Sequence, residues 1–284
     1  MYQTLKFSLE NESEISVSKA CNSLGVSDSG YCYWEKQKPG EVDWVEEKIV
    51  KTAQKNTTGG YRIIKELLKR KGINVNRKKV LKIMNKRGLT KKNKKFKVPT
   101  TDSNHNLPVY PNLAKNMVIT GLNQLWTTDI TYVHLVRETV YLSVIFDRFS
   151  RKCIGWNLSR NIDTDLVITS LKMALRKRKK FGFIGLVHHS DQGKQFASHE
   201  YTGLLKKNGI QISMSRKGNP YDNAHTESAI KTIKYEEVYL NEYETFEDAQ
   251  KNLKKFLEVV YNKKRLHSSL KYLTPDEFEK SVLK

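Results

Sequence analysis

Hydrophobic residues recur at helical spacing through roughly the first ninety residues of the chain. In residues 14–37 this spacing predicts two short helices that meet at a turn near Gly25. A third helix is predicted over 42–55, and the apolar stripe of YRIIKELLKRKG at 61–72 predicts a fourth that ends at a glycine. Asn76 is a predicted N-cap for the next helix, RKKVLKIMNKRG. The front of the chain is therefore predicted to be all-helical.

Further along, the pattern changes to the β-branched and aromatic runs that are typical of strands. Segments 123–136 and 139–150 are predicted to form a hairpin, and 153–159 a third strand. Helices and strands then alternate: helix 164–180, strand 183–190, helix 198–208, strand 210–215, and helices at 225–235 and 246–261. This alternation predicts an α/β domain with a mixed sheet flanked by helices.

A polar, lysine-rich segment with several prolines and no periodicity separates these two patterns and is predicted to be a linker. The predicted regions are an N-terminal helical segment at 1–40, a helix-turn-helix DNA-binding domain at 41–89, a basic linker at 90–117, and an α/β core with C-terminal helices at 118–284. In the second region, the later helix begins with Arg77, Lys78 and Lys79, and a helix-turn-helix places that end at a DNA groove. A small helical bundle with incidental lysines is the alternative.

The net charge of the chain indicates the class of molecule that it binds. The 284 residues carry a net charge of +21. Residues 1–97 hold 23 Lys and Arg against 10 Asp and Glu, a net of +13, and residues 98–284 hold 28 against 20, a net of +8. This excess favours a polyanion as partner, although a solvated basic surface is the alternative. No apolar run approaches the ~20 residues of a membrane span, and the three cysteines form no CxxC pair, so we expect a cytoplasmic protein without disulfides.

Three acidic residues stand in positions that suit a metal-dependent phosphoryl-transfer site. Asp129 lies inside an apolar strand, Asp191 directly follows another strand, and Glu227 lies near the start of a helix. Thirty-five residues separate Asp191 from Glu227, but the pairs Asp102–Glu138 and Asp222–Glu258 share that spacing. Spacing alone is therefore weak evidence, and the predicted strand and helix positions favour the first pair.

The motifs that contain these acids resemble a known family. The strings WTTDITYV, HHSDQGKQFAS and SRKGNPYDNAHTESAIKTIK resemble the catalytic core of DDE transposases and retroviral integrases, and look most like the second-frame transposase of bacterial insertion sequences of the IS-three family. YNKKRLHSSLKYLTPDEF is similar to that family's closing motif, and residues 59–89 look like its helix-turn-helix. The chain lacks the His-His-Cys-Cys zinc module of retroviral integrases, which disfavours that branch.

The resemblance implies a ribonuclease H-like integrase core in which Asp129, Asp191 and Glu227 hold two Mg²⁺ ions, with Mn²⁺ as a possible substitute. It implies double-stranded DNA as partner, both at the inverted-repeat ends of the element and at the target. It also implies end nicking, a circular intermediate and then integration. A homo-oligomer on DNA and an upstream-frame partner protein are further expectations. The candidate DNA-binding residues are Lys234, Lys231, Asn219, Tyr221, Asn223, Arg216, Lys217, Arg77, Lys78, Lys79 and Arg62.

Two other functions remain open at this stage, a DNA-binding regulator or inactivated relative without catalysis, and a ribonuclease of the same fold. Among other polar residues, Asp147 is predicted to pair with the nearby Arg148 and Arg151, and Arg265 is a possible DNA contact. His188 and His189 are predicted to be structural, with support of the neighbouring site as the alternative for one of them, and His267 is predicted to serve in packing or capping. His225 is predicted to face solvent, and a hydrogen bond to a phosphate is the alternative.

Overall fold

The computed structural model describes residues 2–11, 16–36, 44–90, 107–216 and 224–283. The chain divides into two compact units, one of residues 1–57 with 67–89 and the other of residues 58–66 with 90–284. No helix within the described ranges is both long and apolar enough to cross a membrane.

The helices of the front of the chain follow the predicted spacing. They are α1 (Tyr2–Asn11), α2 (Val17–Ser23), α3 (Asp28–Lys36), α4 (Trp44–Lys55), α5 (Tyr61–Arg70) and α6 (Arg77–Lys86). The Asn76 side chain accepts a hydrogen bond from the backbone N–H of Lys78 at 2.9 Å, which confirms the predicted N-cap. Only α1 was not predicted, because its sequence lacks a clear apolar stripe.

The strands form one five-stranded sheet. They are β1 (Leu125–His134), β2 (Thr139–Asp147), β3 (Cys153–Ser159), β4 (Val187–Ser190) and β5 (Gln211–Met214). Their order across the sheet is β3-β2-β1-β4-β5. The pairs β1–β2 and β2–β3 are antiparallel, whereas β1–β4 and β4–β5 are parallel, so the predicted mixed sheet and hairpin are confirmed.

Helices cover both faces of this sheet. They are α7 (Thr164–Arg178), α8 (Lys194–Ala197), α9 (His199–Lys207), α10 (Ala224–Glu236), α11 (Phe246–Lys255) and α12 (Pro275–Val282). One apolar core includes Leu171 of α7 and Trp126 of β1, and a second includes Ile230 and Ile233 of α10. A Cβ at Gly155 of β3 would collide with the Ser170 carbonyl, so only glycine allows α7 to approach this closely.

Several elements differ from the prediction. β4 begins at Val187 rather than 183, because Gly182 and Gly185 adopt left-handed φ angles of +69° and +74° that break an extended run. The last long helix changes to a π-helical segment, Phe256–Lys264, where it was predicted to continue as α-helix. Helix α12 was not predicted, although Thr274 and Glu277 form a capping box at its start.

Candidate active site

Asp129 lies in the middle of the central strand β1. Its neighbours Thr128 and Ile130 are buried, whereas Asp129 itself is partly exposed. The strand is positioned by antiparallel pairing, in which Asp129 lies opposite Val144. Its Oδ1 accepts a hydrogen bond of 2.8 Å from the backbone N–H of Ile130. The pairing and this bond place a carboxylate on a rigid, otherwise buried strand.

Asp191 directly follows β4, which runs parallel to β1. Thr127 and His189 are partners in that pairing, and Asp129 and Asp191 each lie two residues beyond them. The two carboxylates therefore come from the same level of adjacent strands. The backbone N–H of Gly193 donates to Oδ1 of Asp191 at 2.9 Å, which fixes the side chain at the start of the following loop.

Glu227 and Lys234 come from the helix that packs on β1. Glu227 is exposed in the first turn of α10, and Lys234 lies about two turns further along. The Lys234 ammonium lies 3.6 Å from the ring centroid of Tyr132, which is buried on β1. Sequence reasoning missed Tyr132, because only the docking of α10 on β1 brings the two side chains together. Lys231, also predicted to contact DNA, is exposed on the same helix.

Electrostatic interactions connect these four side chains. The pKa of Asp129 is raised to about 8, first by loss of solvation and then by the charges of Asp191 and Glu227. The Ile130 N–H and the Lys234 charge act in the opposite direction. Burial lowers the pKa of Lys234, and Asp129 partly reverses that effect. Residues almost one hundred positions apart in the chain therefore form one charged cluster.

The chemistry of this cluster fits a hard divalent cation. All three acids offer oxygen ligands, and the mutual repulsion that raises the pKa of Asp129 is what a bound cation relieves. Within the described residues, however, no three His, Cys, Asp or Glu side chains converge closely enough to form a metal-ligand group. The three carboxylates are neighbours in electrostatic terms and are not already closed around a common point.

The other candidate DNA-binding residues are distributed between the two units. Arg77, Lys78 and Lys79 are exposed in the first turn of α6, and Arg62 is exposed on α5. Arg216 is exposed just after β5. The remaining four lie outside the described residues: Lys217, Asn219, Tyr221 and Asn223.

One predicted role of a charged residue is wrong. Asp147 does not pair with the adjacent arginines. It lies 3.8 Å from Arg178 and accepts backbone hydrogen bonds, including one from Ser150 at 3.0 Å, because the chain turns back over its carboxylate. The guanidinium of Arg265, a possible DNA contact, makes two hydrogen bonds of 2.8 and 3.0 Å to the Glu236 carboxylate.

The structure confirms structural roles for three of the histidines. His188 is buried and its Nε2 lies 2.7 Å from the Tyr201 hydroxyl, while His189 Nδ1 lies 2.8 Å from the Ser213 hydroxyl. His267 is buried and stacks edge-on against a tyrosine ring. The fourth, His225, is exposed as predicted, but it also contacts Arg151, which the sequence did not indicate.

Comparison with known proteins identifies the family. Residues 120–220 and 208–275 match families that are both described as Integrase core domain, and residues 43–97 match the HTH-like domain. The chain is 39% identical to the transposase for insertion sequence element IS904 of Lactococcus lactis, over 82% of this chain and 91% of that protein. It is 31% identical to transposase InsF for insertion sequence IS3A of Escherichia coli, over 96% and 97%.

Solved structures give a more distant likeness. The HTLV-2 integrase catalytic core domain in complex with magnesium aligns with 18% identity and a TM-score of 0.40, over 55% of this chain and 96% of that chain. The Mos1 transposase catalytic domain with Mn aligns with 11% identity and a TM-score of 0.39, over 48% and 71%.

The predicted fold class agrees with the observed sheet, whose antiparallel β1–β2–β3 hairpins are extended by parallel β4 and β5, and with the integrase-core match. The all-helical front agrees with the HTH-like match. With relatives above 30% identity that align over most of its length, the chain belongs to the IS3 family of insertion-sequence transposases, DDE-type polynucleotidyl transferases with an integrase core.

Proposed function

We propose that this transposase binds the inverted-repeat ends of its insertion sequence and catalyses Mg²⁺-dependent cleavage and strand transfer. The observation that carries the proposal is the electrostatic coupling of Asp129 to Asp191 and Glu227, which come from an adjacent strand and from one helix, with the charge of Lys234 acting on the same carboxylate. Carboxylates brought near one another from distant parts of a chain are what metal-dependent phosphoryl transfer requires, and a bound cation would draw them closer together.

Asp129, Asp191 and Glu227 would hold the metal, two Mg²⁺ ions with Mn²⁺ as a substitute. When bound, such ions activate an attacking oxygen and stabilise the leaving oxygen of an in-line displacement. The contribution of the chain itself is to hold the three carboxylates in position. Strand β1 fixes Asp129 rigidly, the Gly193 N–H orients Asp191, and α10 carries Glu227. Lys234 brings a positive charge to the same place, where it would hold the DNA backbone.

Recognition of the inverted-repeat ends would come from the front of the chain. Arg77, Lys78 and Lys79 lie in the first turn of α6, the position of a recognition helix that enters the major groove. The proposed division of labour assigns end recognition to residues 41–89 and chemistry to residues 118–284, with 1–40 and the linker 90–117 as accessory segments. Arg62, Arg216, Lys217, Lys231, Asn219, Tyr221 and Asn223 are proposed as further DNA contacts.

Cleavage and joining of two ends implies a homo-oligomer on DNA, because one active site and one recognition helix hold only one end at a time. An upstream-frame partner protein and a place beside the bacterial nucleoid are further parts of the proposal. The bacterial relatives support that setting.

An assay of cleavage and joining tests this function, with the whole chain, Mg²⁺ and three labelled substrates. A duplex with the terminal inverted repeat that flanks the coding sequence is expected to be nicked and joined, and a duplex with scrambled ends is not. A non-catalytic regulator would bind the first duplex and leave it intact. A ribonuclease of this fold would instead cut the RNA strand of an RNA–DNA hybrid, which is the third substrate. Either of these results would overturn the proposal.

A further inference from the structure

Two arginines near the turn between β2 and β3 have no acidic partner in the part of the chain that the structure describes. Arg148 and Arg151 are each partly buried, and neither lies within ion-pair distance of a carboxylate among the described residues. Arg178 and Arg265, by contrast, each pair with a glutamate. Burial and the nearby Arg151 charge lower the pKa of Arg148 to about 10. The two charges therefore repel each other in a place where solvent screens them poorly.

His225 adds a hydrogen-bond donor to this pair. Its Nδ1 lies 2.7 Å from Nη1 of Arg151. Because a guanidinium only donates, Nδ1 must accept, and the ring proton then lies on Nε2. The Nε2–H of His225 is therefore a donor held beside two cations.

These side chains surround a small cavity beside the carboxylate cluster. Its lining is completed by Thr127, Phe146, Ala229, Tyr261 and Asp147, whose carboxylate accepts backbone hydrogen bonds and lies 3.8 Å from Arg178. Thr127 and Asp129 share one face of β1, two residues apart, which places them about 7 Å from each other along the strand. On α10, His225 precedes Glu227 by two residues. The cavity is therefore adjacent to the site proposed for cleavage on both elements.

We propose that Arg148, Arg151 and His225 bind a phosphate of the DNA backbone close to the phosphodiester that is cut. The inference rests on the function proposed above and adds to it a second point at which the strand is held. A phosphate supplies the negative charge that the two guanidinium groups lack, and its oxygens accept from planar N–H donors and from His225 Nε2. Two points of attachment fix the direction of the strand across the three carboxylates.

The double variant Arg148→Gln/Arg151→Gln tests this site. Its matched control is Lys172→Gln/Arg176→Gln, which removes two exposed positive charges from α7. With EDTA present, so that no strand is cut, the site variant is expected to bind the inverted-repeat duplex about tenfold more weakly. The slope of log K against log salt is expected to decrease by about 0.9, the value for one phosphate contact. The control is expected to retain both the affinity and the slope.

Thermal unfolding separates binding from a structural role. Because the two arginines repel each other, their removal is expected to leave the Tm unchanged or higher, whereas arginines that stabilised the fold would give a lower Tm and overturn the proposal.

DNA duplexes in which one phosphate has lost its charge identify the phosphate that Arg148, Arg151 and His225 bind. Duplexes with a single methylphosphonate, moved one position at a time around the cleavage site, are bound by the wild type and by the double variant. One position is expected to weaken wild-type binding about tenfold and to have no effect on the variant. Equal losses for both proteins at every position would overturn the phosphate site, even if the wild type cuts normally. A wild type that neither binds nor cuts would instead overturn the proposed function.

Discussion

The ammonium of Lys234 lies 3.6 Å from the centre of the Tyr132 ring. Tyr132 lies on the same strand as Asp129, three residues further along. Tyr132 thus supports a cation whose charge also acts on Asp129. An aromatic face attracts an ammonium most strongly when both are shielded from water, and here Tyr132 is buried and Lys234 is half-buried. The ring therefore helps to hold the Lys234 ammonium where its charge acts on Asp129.

Tyr132→Leu is accordingly expected to weaken binding of the inverted-repeat duplex about threefold, since a cation–π contact of this kind is worth about 0.5–2 kcal/mol. Lys234→Gln is expected to weaken it about tenfold, through loss of a phosphate contact. Fluorescence anisotropy gives both affinities. Tyr132→Phe keeps the ring face and serves as the control. If Tyr132→Phe lost as much affinity as Tyr132→Leu, the hydroxyl rather than the ring would be responsible.

Replacement of Arg77, Lys78 and Lys79 by Gln tests the recognition helix. Binding of the inverted-repeat duplex is expected to decrease strongly, and the preference for that duplex over a scrambled one is expected to decrease with it, because base contacts come from the start of a recognition helix. The control triple variant replaces Lys48, Lys51 and Lys55, which are exposed on α4. If both triple variants lost affinity equally and kept the preference, α6 would contribute charge alone.

Glu279 of α12 anchors the C-terminal helix to the core. Its carboxylate contacts the buried Arg178, lies 2.9 Å from Nζ of Lys152, and accepts from the Ser150 hydroxyl at 2.7 Å. Burial opposes ionisation, but Arg178 and Lys152 outweigh it and lower the pKa of Glu279. Glu279→Gln is expected to reduce the free energy of unfolding by about 3 kcal/mol, because it leaves Arg178 with only the more distant Asp147.

Urea denaturation measures that change, with Glu242→Gln as an exposed control that is expected to stay within about 0.5 kcal/mol of the wild type. A Glu279→Gln protein as stable as the control would show that the ion pairs around Arg178 contribute nothing to folding.

His188 predicts how stability depends on pH. Burial, and to a smaller extent His189, lowers its pKa to about 3. The unfolded chain, with a histidine pKa of about 6.5, therefore binds the proton that the folded protein excludes. The stabilising contribution is complete above about pH 6.5 and decreases as the pH falls toward 3. Urea midpoints between pH 7.5 and 4.5 are expected to decrease more steeply for the wild type than for His188→Gln.

His199→Gln, at an exposed position, serves as the control and is expected to follow the wild type. If the urea midpoints of His188→Gln and the wild type changed with pH in parallel, the pKa of His188 would not differ between the folded and unfolded states, contrary to what its burial implies.

Local patterns predicted most of the architecture, since helical and strand periodicities depend on neighbours in the chain. Strand β3 was predicted with its observed bounds, and the helix cap at Asn76 follows from residue type. The partners of Asp147 and Arg265 could not be predicted in this way. Arg178 lies 31 positions from Asp147, and Glu236 lies 29 positions from Arg265, so only the packed fold brings them together.

Some residues of the candidate site are likewise indicated by the local sequence, whereas others come together only in the packed fold. An acid in the middle of a buried strand and an acid at the end of a strand are unusual enough to be visible in the sequence, which is why Asp129 and Asp191 could be proposed as candidates from it. Tyr132 beneath Lys234 and the pair Arg148 and Arg151 are ordinary residue types in ordinary strands and turns. Their roles arise from the docking of α10 on the sheet.

The catalytic role of the carboxylate cluster is tested most directly by Asp191→Asn in a strand-transfer assay with Mg²⁺ and the inverted-repeat duplex. Asp165→Asn, exposed in the first turn of α7, is the matched control. Cleavage and joining by Asp191→Asn are expected to decrease about a thousandfold, equivalent to about 4 kcal/mol of lost transition-state stabilisation. Its affinity for the duplex is expected to stay within about threefold of the wild type, because the phosphate contacts remain. Strand transfer at the wild-type rate would contradict the assignment of Asp191, and with it the proposed active site.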